Sequence, residues 1–174
     1  MKDIAVKEPV VDQIPVVRNE IQIACFRVGD GLFALDILRI KEVIRPQKLT
    51  VVPKAPGFVE GVLNLRGTII PVIDLLRRFT GQPHIPGRKT RVIICALRGN
   101  LFGLIVDEVL EVRLYQRQDV LPAPDFLDES TAVLFSGVCR RDQDLILILN
   151  LDRIFSTKEH QQLDQIQILP PTSP

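Results

Sequence analysis

The side chains in this sequence able to do acid–base, nucleophilic or metal chemistry are scattered. His84 stands between Pro83 and Ile85, and His160 lies in a polar stretch near the C-terminus. A general base needs a positioned setting from which water is excluded, and neither place supplies one. Cys25, Cys95 and Cys139 are odd in number and far apart, each in or beside an apolar run, with no Cys-x-x-Cys spacing. That placement predicts small buried hydrophobes in a reducing compartment. Neither histidine stands at ligand spacing from a cysteine, so no metal site and no cofactor is expected. Asp36, Asp74 and Asp107 fall near strand ends, where carboxylates cap turns. The sequence has no Gly-x-x-x-x-Gly-Lys-Ser loop, His-Glu-x-x-His or Gly-x-Ser-x-Gly, and no catalytic residue is expected.

One polar run stands out. Asn64-Leu65-Arg66-Gly67 interrupts the apolar stretch from Val59 to Asp74. Hairpin turns attract these residue types, with the arginine pointing into water. The other reading is a binding task, and an internal repeat bears on the choice.

The elements around that run are β-rich. Ile21 to Val28 and Leu32 to Ile37 are apolar runs separated by Gly29-Asp30-Gly31, a hairpin signal. Pro46, Pro53 and Pro56 exclude one long helix over the next segment. Val59 to Leu65 and Thr68 to Ile73 read as two more strands. Asp74 caps a short helical turn, Leu75 to Phe79, that Gly81 ends. After a connector with Pro83, Pro86 and Gly87, the strand pattern restarts at Arg91. Ser156-x-x-Glu159 is a capping box opening a C-terminal helix.

The chain then repeats itself. Shifted by 69 positions, residues 31–45 lie over 100–114, matching Leu32 with Leu101, Phe33 with Phe102, Glu42 with Glu111 and Val43 with Val112. Shifted by 76, residues 59–79 lie over 135–155, matching Gly61 with Gly137, Ile70 with Ile146 and Phe79 with Phe155. Two matching segments in one order indicate duplication of a unit of four or five strands. Where the first half has Asn64 to Gly67, the second has Arg140-Arg141-Asp142-Gln143, an ordinary polar turn in sequence terms. That contrast points to a task specific to the first half.

Composition narrows the class. The 174 residues carry 22 basic and 21 acidic side chains, a balance unlike that of domains that neutralise phosphates. Arg77-Arg78 and Arg140-Arg141 read as solvated faces. Phe26, Phe33, Phe79, Phe102 and Phe155 fall inside apolar patterns and are core candidates before they are base-stacking platforms. The N-terminal segment, broken by Glu8, Pro9, Asp12 and Pro15, lacks an apolar signal-peptide core, and no run approaches the ~20 residues of a membrane helix. A cytoplasmic protein with no membrane insertion is expected. The domain expectation is an arm over 1–20, barrels over about 21–82 and 90–155, and a helix and tail over 156–174.

Ile40-Lys41-Glu42-Val43-Ile44, the run from Pro56 through Asn64-Leu65-Arg66-Gly67 to Pro71-Val72-Ile73-Asp74-Leu75, and then Phe102 to Asp107 and Leu121-Pro122-Ala123-Pro124, together resemble the CheW family of chemotaxis adaptors. The resemblance spans about residues 20–165. It implies a mainly β fold of two packed five-stranded SH3-like barrels with short helices and a C-terminal helix. It implies a non-catalytic scaffold that couples the cytoplasmic tip of methyl-accepting chemoreceptors to the regulatory domain of a CheA-type histidine kinase, recruited to receptor arrays at the inner membrane. The receptor-side residues carried over are Ile40, Glu42, Gly61, Asn64, Arg66 and Gly67, with Val109 and Val112 in the second barrel. Glu42 and Arg66 are expected to pair on that surface. Gly61 has two readings, close approach of a partner or a β-bulge shared with Gly137. Leu76 departs from the family, standing where many relatives have arginine. The rival readings are a nucleic-acid-binding barrel and a small hydrolase on a β scaffold.

Overall fold

The structure, a computed structural model, describes residues 19–167. In chain order come β1 Glu20–Val28, β2 Gly31–Asp36, a 3-10 turn Ile37–Arg39, β3 Ile40–Ile44, β4 Val59–Leu65, β5 Thr68–Asp74 and α1 Leu75–Thr80. Then follow β6 Arg91–Leu97, β7 Asn100–Val106, β8 Glu108–Gln116 and a second 3-10 turn Arg117–Asp119. α2 Glu129–Ala132, β9 Phe135–Arg141, β10 Asp144–Leu149 and α3 Thr157–Gln167 complete it. Residues 1–18 of the expected arm and 168–174 of the expected tail lie outside the described residues.

Four of the strand pairs are tight hairpins whose turns use left-handed backbone. Gly29, Arg66 with Gly67, Arg98 with Gly99, and Asp142 all have positive φ. Two-residue turns of this hand match the twist of the strands they join. The expected local caps are present. Asp74 Oδ1 accepts from the Leu76 and Arg77 backbone N–H groups, and Gly81 ends α1 with φ 78°. Ser156 Oγ accepts from Glu159 N while Glu159 Oε1 accepts from Ser156 N, the reciprocal capping box opening α3. Asp36 caps the first 3-10 turn through Leu38 N, and Asp107 Oδ2 accepts from Gly29 N.

The strands form two five-stranded sheets, ordered β8-β1-β2-β10-β9 and β3-β6-β7-β5-β4. This corrects the division into barrels over 21–82 and 90–155. The first sheet takes β1 and β2 from the first half and three strands from the second; the other sheet has the reverse mixture. Pairing is settled by what each strand meets in space, and each half gives its first hairpin to the other half's last three strands. The chain passes between sheets twice, at the Ile37–Arg39 turn and at Asp107.

The duplication survives in the pairing register. Val72 pairs with Gly103 in parallel, and shifting by 76 and 69 gives the observed pair of Ile148 with Ala34. Val43 pairs with Ile93, and its counterpart Val112 with Ala24. Bulges recur too: Val59 and Gly61 pair with Ile73 and Val72 as Phe135 and Gly137 pair with Leu149 and Ile148.

Each barrel has its own buried cluster at matched positions. Leu63, Ile70, Val72, Val92 and Ile94 fill one, while Cys139, Ile146, Ile148, Ile23 and Cys25 fill the other. Between the barrels lies a larger shared cluster that includes Phe26, Leu35, Ile73, Leu104, Ile154 and Phe155. Burying side chains from both sheets in one core gives two small barrels the apolar area that neither has alone. All three cysteines are free and buried, as expected. Burial pushes the Cys95 thiol up to about 12 and the Cys25 thiol up to about 11.

The paired arginines are not simply solvated. Arg78 binds both carboxylate oxygens of Glu159, donates to the Ile154 carbonyl at 2.8 Å, and lies 5.4 Å from the ring centres of Phe58 and Phe155. It fastens α3, whose Leu163 and Ile166 enter the shared core. Two apolar rings beside a carboxylate make a site for a planar guanidinium, which sequence periodicity does not reveal.

Candidate protein-docking site

The Asn64–Gly67 run is the turn between β4 and β5. Leu65 pairs with Thr68, leaving Arg66 (φ 50°) and Gly67 (φ 86°) as the two turn residues. Asn64 Oδ1 accepts from Gly67 N at 2.8 Å, so the asparagine fixes the turn it precedes. The turn projects Arg66 from the barrel, its side chain 72% exposed. From the neighbouring edge strand β3, Glu42 Oε1 accepts from Arg66 Nη2, so the expected pair forms. Arg98-Gly99 makes a turn of the same hand between β6 and β7, so Arg-Gly alone does not define the site. What distinguishes 64–67 is the asparagine clasp together with the Glu42 tether.

The other carried-over residues divide into two groups. Ile40 and Val109 are half-buried and pack against the shared core, Ile40 in register with Cys95 and Val109 with Phe26. Val112 is exposed on β8, with Val43 its exposed counterpart on β3. Gly61 is buried at a bulge. A Cβ there would stand 2.9 Å from the Thr50 carbonyl oxygen and the Leu49 Cβ. Thr50 and Val62 exchange backbone hydrogen bonds of 2.8 Å, so the approach Gly61 permits is that of the chain's own segment. Gly137 does the same against Leu121, and of the two readings of Gly61 the shared bulge is the one seen.

The polar turn of the second half is more than a turn. Arg141 donates through Nε (2.8 Å) and Nη2 (3.3 Å) to the carboxylate of Glu111, the counterpart of Glu42. Arg113 adds a third contact at 3.3 Å. The Arg141 bonds hold the Glu111 carboxyl below the usual carboxylate range. In both barrels, therefore, an arginine at one edge is bound to a glutamate at the other. The halves differ in presentation: the Arg141 side chain is only 25% exposed, whereas that of Arg66 is mostly in solvent. The repeat alignment pointed to Glu111, but it set Asp142 rather than Arg141 opposite Arg66, which hid the second pair. Leu38 and Leu114 are exposed leucines that the strand pattern alone does not distinguish from core positions.

Among the described residues, no group of three or more His, Cys, Asp or Glu side chains could hold a metal ion. His84 is taken up structurally, its Nδ1 lying 3.0 Å from the buried Asp74 Oδ2, which also accepts from the His84 backbone N–H. No helix among the described residues is long and apolar enough to cross a membrane.

Two strand-exchanged barrels around one core, with a tethered arginine turn and apolar strand faces at the surface, define a β-barrel docking scaffold. The CheW-like domain family matches residues 22–159, and the chain belongs to that family, the CheW family of chemotaxis coupling adaptors. It is 30% identical over 161 residues to the chemotaxis protein CheW of Treponema pallidum, covering 87% of this chain and 92% of that one. With Protein FrzA of Myxococcus xanthus it shares 34% identity over 142 residues, 80% of this chain and 88% of the relative. The crystal structure of the scaffolding protein TtCheW from Thermoanaerobacter tengcongensis superposes with a TM-score of 0.71 at 34% identity. That match covers 79% of this chain and 88% of that one.

Proposed function

We infer that the chain is a non-catalytic cytoplasmic adaptor. It couples the cytoplasmic tip of chemoreceptors to the regulatory domain of a CheA-type histidine kinase and is recruited by them to membrane arrays. The observation that carries the reading is the exposed Arg66, held by Glu42 on a turn clasped by Asn64. An exposed ion pair contributes only ~0–1 kcal/mol to stability, so its value is in aiming the guanidinium fork. The fork then meets carbonyls or carboxylates of a receptor helix, while Ile40, Val109 and Val112 supply apolar contact. Gly67 permits the turn, and Gly61 acts from beneath by letting Thr50 pair with β4.

The nucleic-acid alternative draws no support from the arginines. Arg66, Arg77, Arg78 and Arg141 are each paired with a glutamate instead of lining a basic groove. The test is co-sedimentation of the purified protein with receptor-containing membranes, with and without the kinase. Arg66→Glu is expected to abolish co-sedimentation while leaving the circular dichroism unchanged. A folded Arg66→Glu variant that still co-sediments fully sinks the reading.

A further inference from the structure

Where β7 finishes and the connector from α1 enters β6 lies a shallow depression of about 430 Å³. Its apolar lining is Leu76, which packs on the shared core, and Ile85, which is 87% exposed. Arg88 and Lys89 stand beside them. The connector that presents Ile85 is held on both sides. The His84 backbone N–H donates to the buried Asp74 Oδ2 at 2.9 Å, and the hydroxyl of buried Thr90 accepts from Gly87 N at 2.8 Å. Arg91 Nη1 donates to the Arg88 carbonyl at 3.0 Å. An exposed isoleucine on a backbone fixed in this way is a preorganised contact. Charge is segregated here as well. No acid occurs from Leu75 to Val106, whereas Arg77, Arg78, Arg88, Lys89, Arg91 and Arg98 fall within that stretch. Among the described residues Arg88 and Arg91 have no carboxylate partner, and the Lys89 side chain is 74% exposed despite its 3.4 Å contact with Glu108. Asp107, the one carboxylate lining the depression among the described residues, is taken up by Gly29 N.

We propose that this depression is a second docking site, for a short acidic segment of a partner protein that carries one bulky apolar side chain. The apolar side chain covers Leu76 and Ile85, while the carboxylates flanking it meet Arg88 and Lys89. A nucleic acid fits less well: bases held on a basic surface need stacking rings, and among the described residues no aromatic side chain lines the depression. A membrane fits less well too, because a planar lipid face does not reach a floor formed by the half-buried Leu76. The site lies apart from the proposed receptor surface and does not depend on it. Val72 pairs with Gly103 and Asp74 with Ile105 in parallel, so the Arg66 turn stands where β7 begins and the depression where it ends.

The experiment is calorimetric titration of the full chain, at low salt, with a synthetic peptide of aspartates and glutamates around one central leucine. The unmodified chain is expected to bind it saturably. Ile85→Asp and the double variant Arg88→Glu, Lys89→Glu should each weaken binding by about tenfold or more, as should serine in place of the peptide's leucine. Arg66→Glu should leave it unchanged. Ile85, Arg88 and Lys89 are exposed, so the variants should keep the parent's circular dichroism. Amide NMR shifts of the parent should move at Ile85 and from Gly87 to Arg91 as peptide is added. Absence of saturable binding, or binding that survives both variants, overturns the proposal. A loss in Arg66→Glu equal to that in the depression variants also overturns it and assigns the peptide to the receptor surface. Tighter binding of a polyuridine oligomer, or of phosphatidylglycerol vesicles, lost in the same variants, overturns it in favour of a nucleic acid or a membrane.

Discussion

Glu111 accepts two hydrogen bonds from Arg141 across one barrel, at the place where Glu42 accepts one from Arg66 across the other. The acid–arginine bond is thus part of the barrel's construction in both copies. Exposure of the arginine, and not the bond itself, separates the two sites. Arg141→Met is expected to raise the Glu111 carboxyl back toward the ordinary range, because the Arg141 bonds are the leading cause of its depression. A carboxylate-resolved NMR titration reads this directly; an unmoved Glu111 midpoint refutes it.

Arg66 sits at φ 50°, a conformation that costs an L-residue with a Cβ roughly 1 kcal/mol or more. Arg66→Gly is therefore expected to leave stability equal or raised by up to about 1 kcal/mol, while receptor binding falls. Urea denaturation and membrane co-sedimentation on the same preparation separate the two effects. Parallel loss of stability and binding would mean that the side chain serves the fold.

Gly61→Ala and Gly137→Ala test the duplicated bulge. An added Cβ meets the Thr50 carbonyl oxygen at 2.9 Å in one case and Val120 Cγ1 at 2.5 Å in the other. Overpacking of this kind costs about 1–3 kcal/mol, so both variants are expected to unfold at lower urea than the parent. Gly61→Ala should weaken receptor binding only in proportion to that loss. A fully stable Gly61→Ala with lost binding would return the residue to the partner surface.

The Arg78–Glu159 clamp makes the docking of α3 acid-sensitive. Arg78 bonding holds the Glu159 carboxyl down at about 2, below its unfolded value near 4.5. A depressed folded pKa contributes stability above the unfolded value, and that contribution fades as pH falls from about 4.5 toward 2. Glu159→Gln should destabilise the protein by about 2 kcal/mol at neutral pH. The difference from the parent should shrink through that acid window. Equal stabilities at pH 7 would contradict the clamp.

Fragments 19–85 and 86–167 test the exchange of hairpins. Separated, the first holds β1 and β2 without the β8 and β10 they pair with, and the second lacks β1 and β2. Each is expected to be unfolded alone, and an equimolar mixture to regain the sheet signal and chemical-shift dispersion. A folded 19–85 fragment would show that its hairpin can close on its own half.

The hairpins were legible because their determinants are local: turn residues with positive φ between alternating apolar runs. The caps at Asp74 and Ser156 were legible for the same reason. Even the long-range register was latent in the repeat, since offsets of 69 and 76 carry Val72–Gly103 onto Ile148–Ala34. What the offsets cannot state is which copy of a strand each hairpin meets. Both copies are chemically alike, and the choice lies in the connections, so the exchange of hairpins between the barrels leaves no mark in the local pattern. At the site, the Glu42–Arg66 pair could be anticipated, but Arg141 on Glu111 could not, because the alignment set it one position away. Arg78 was hidden because a charged residue in a short helix looks solvated until two phenylalanines from distant segments close over it.

The two passages between the barrels have a mechanical consequence. One is pinned by Asp36 on Leu38 N. The other is pinned by Asp107, whose carboxylate takes Gly29 N and whose own N–H donates to the Arg27 carbonyl at 2.9 Å. Two backbone passages and one continuous apolar core therefore join the barrels, so that parting them would expose Phe26, Leu35, Ile73, Leu104 and Phe155 to water as well as straining the chain at both crossings.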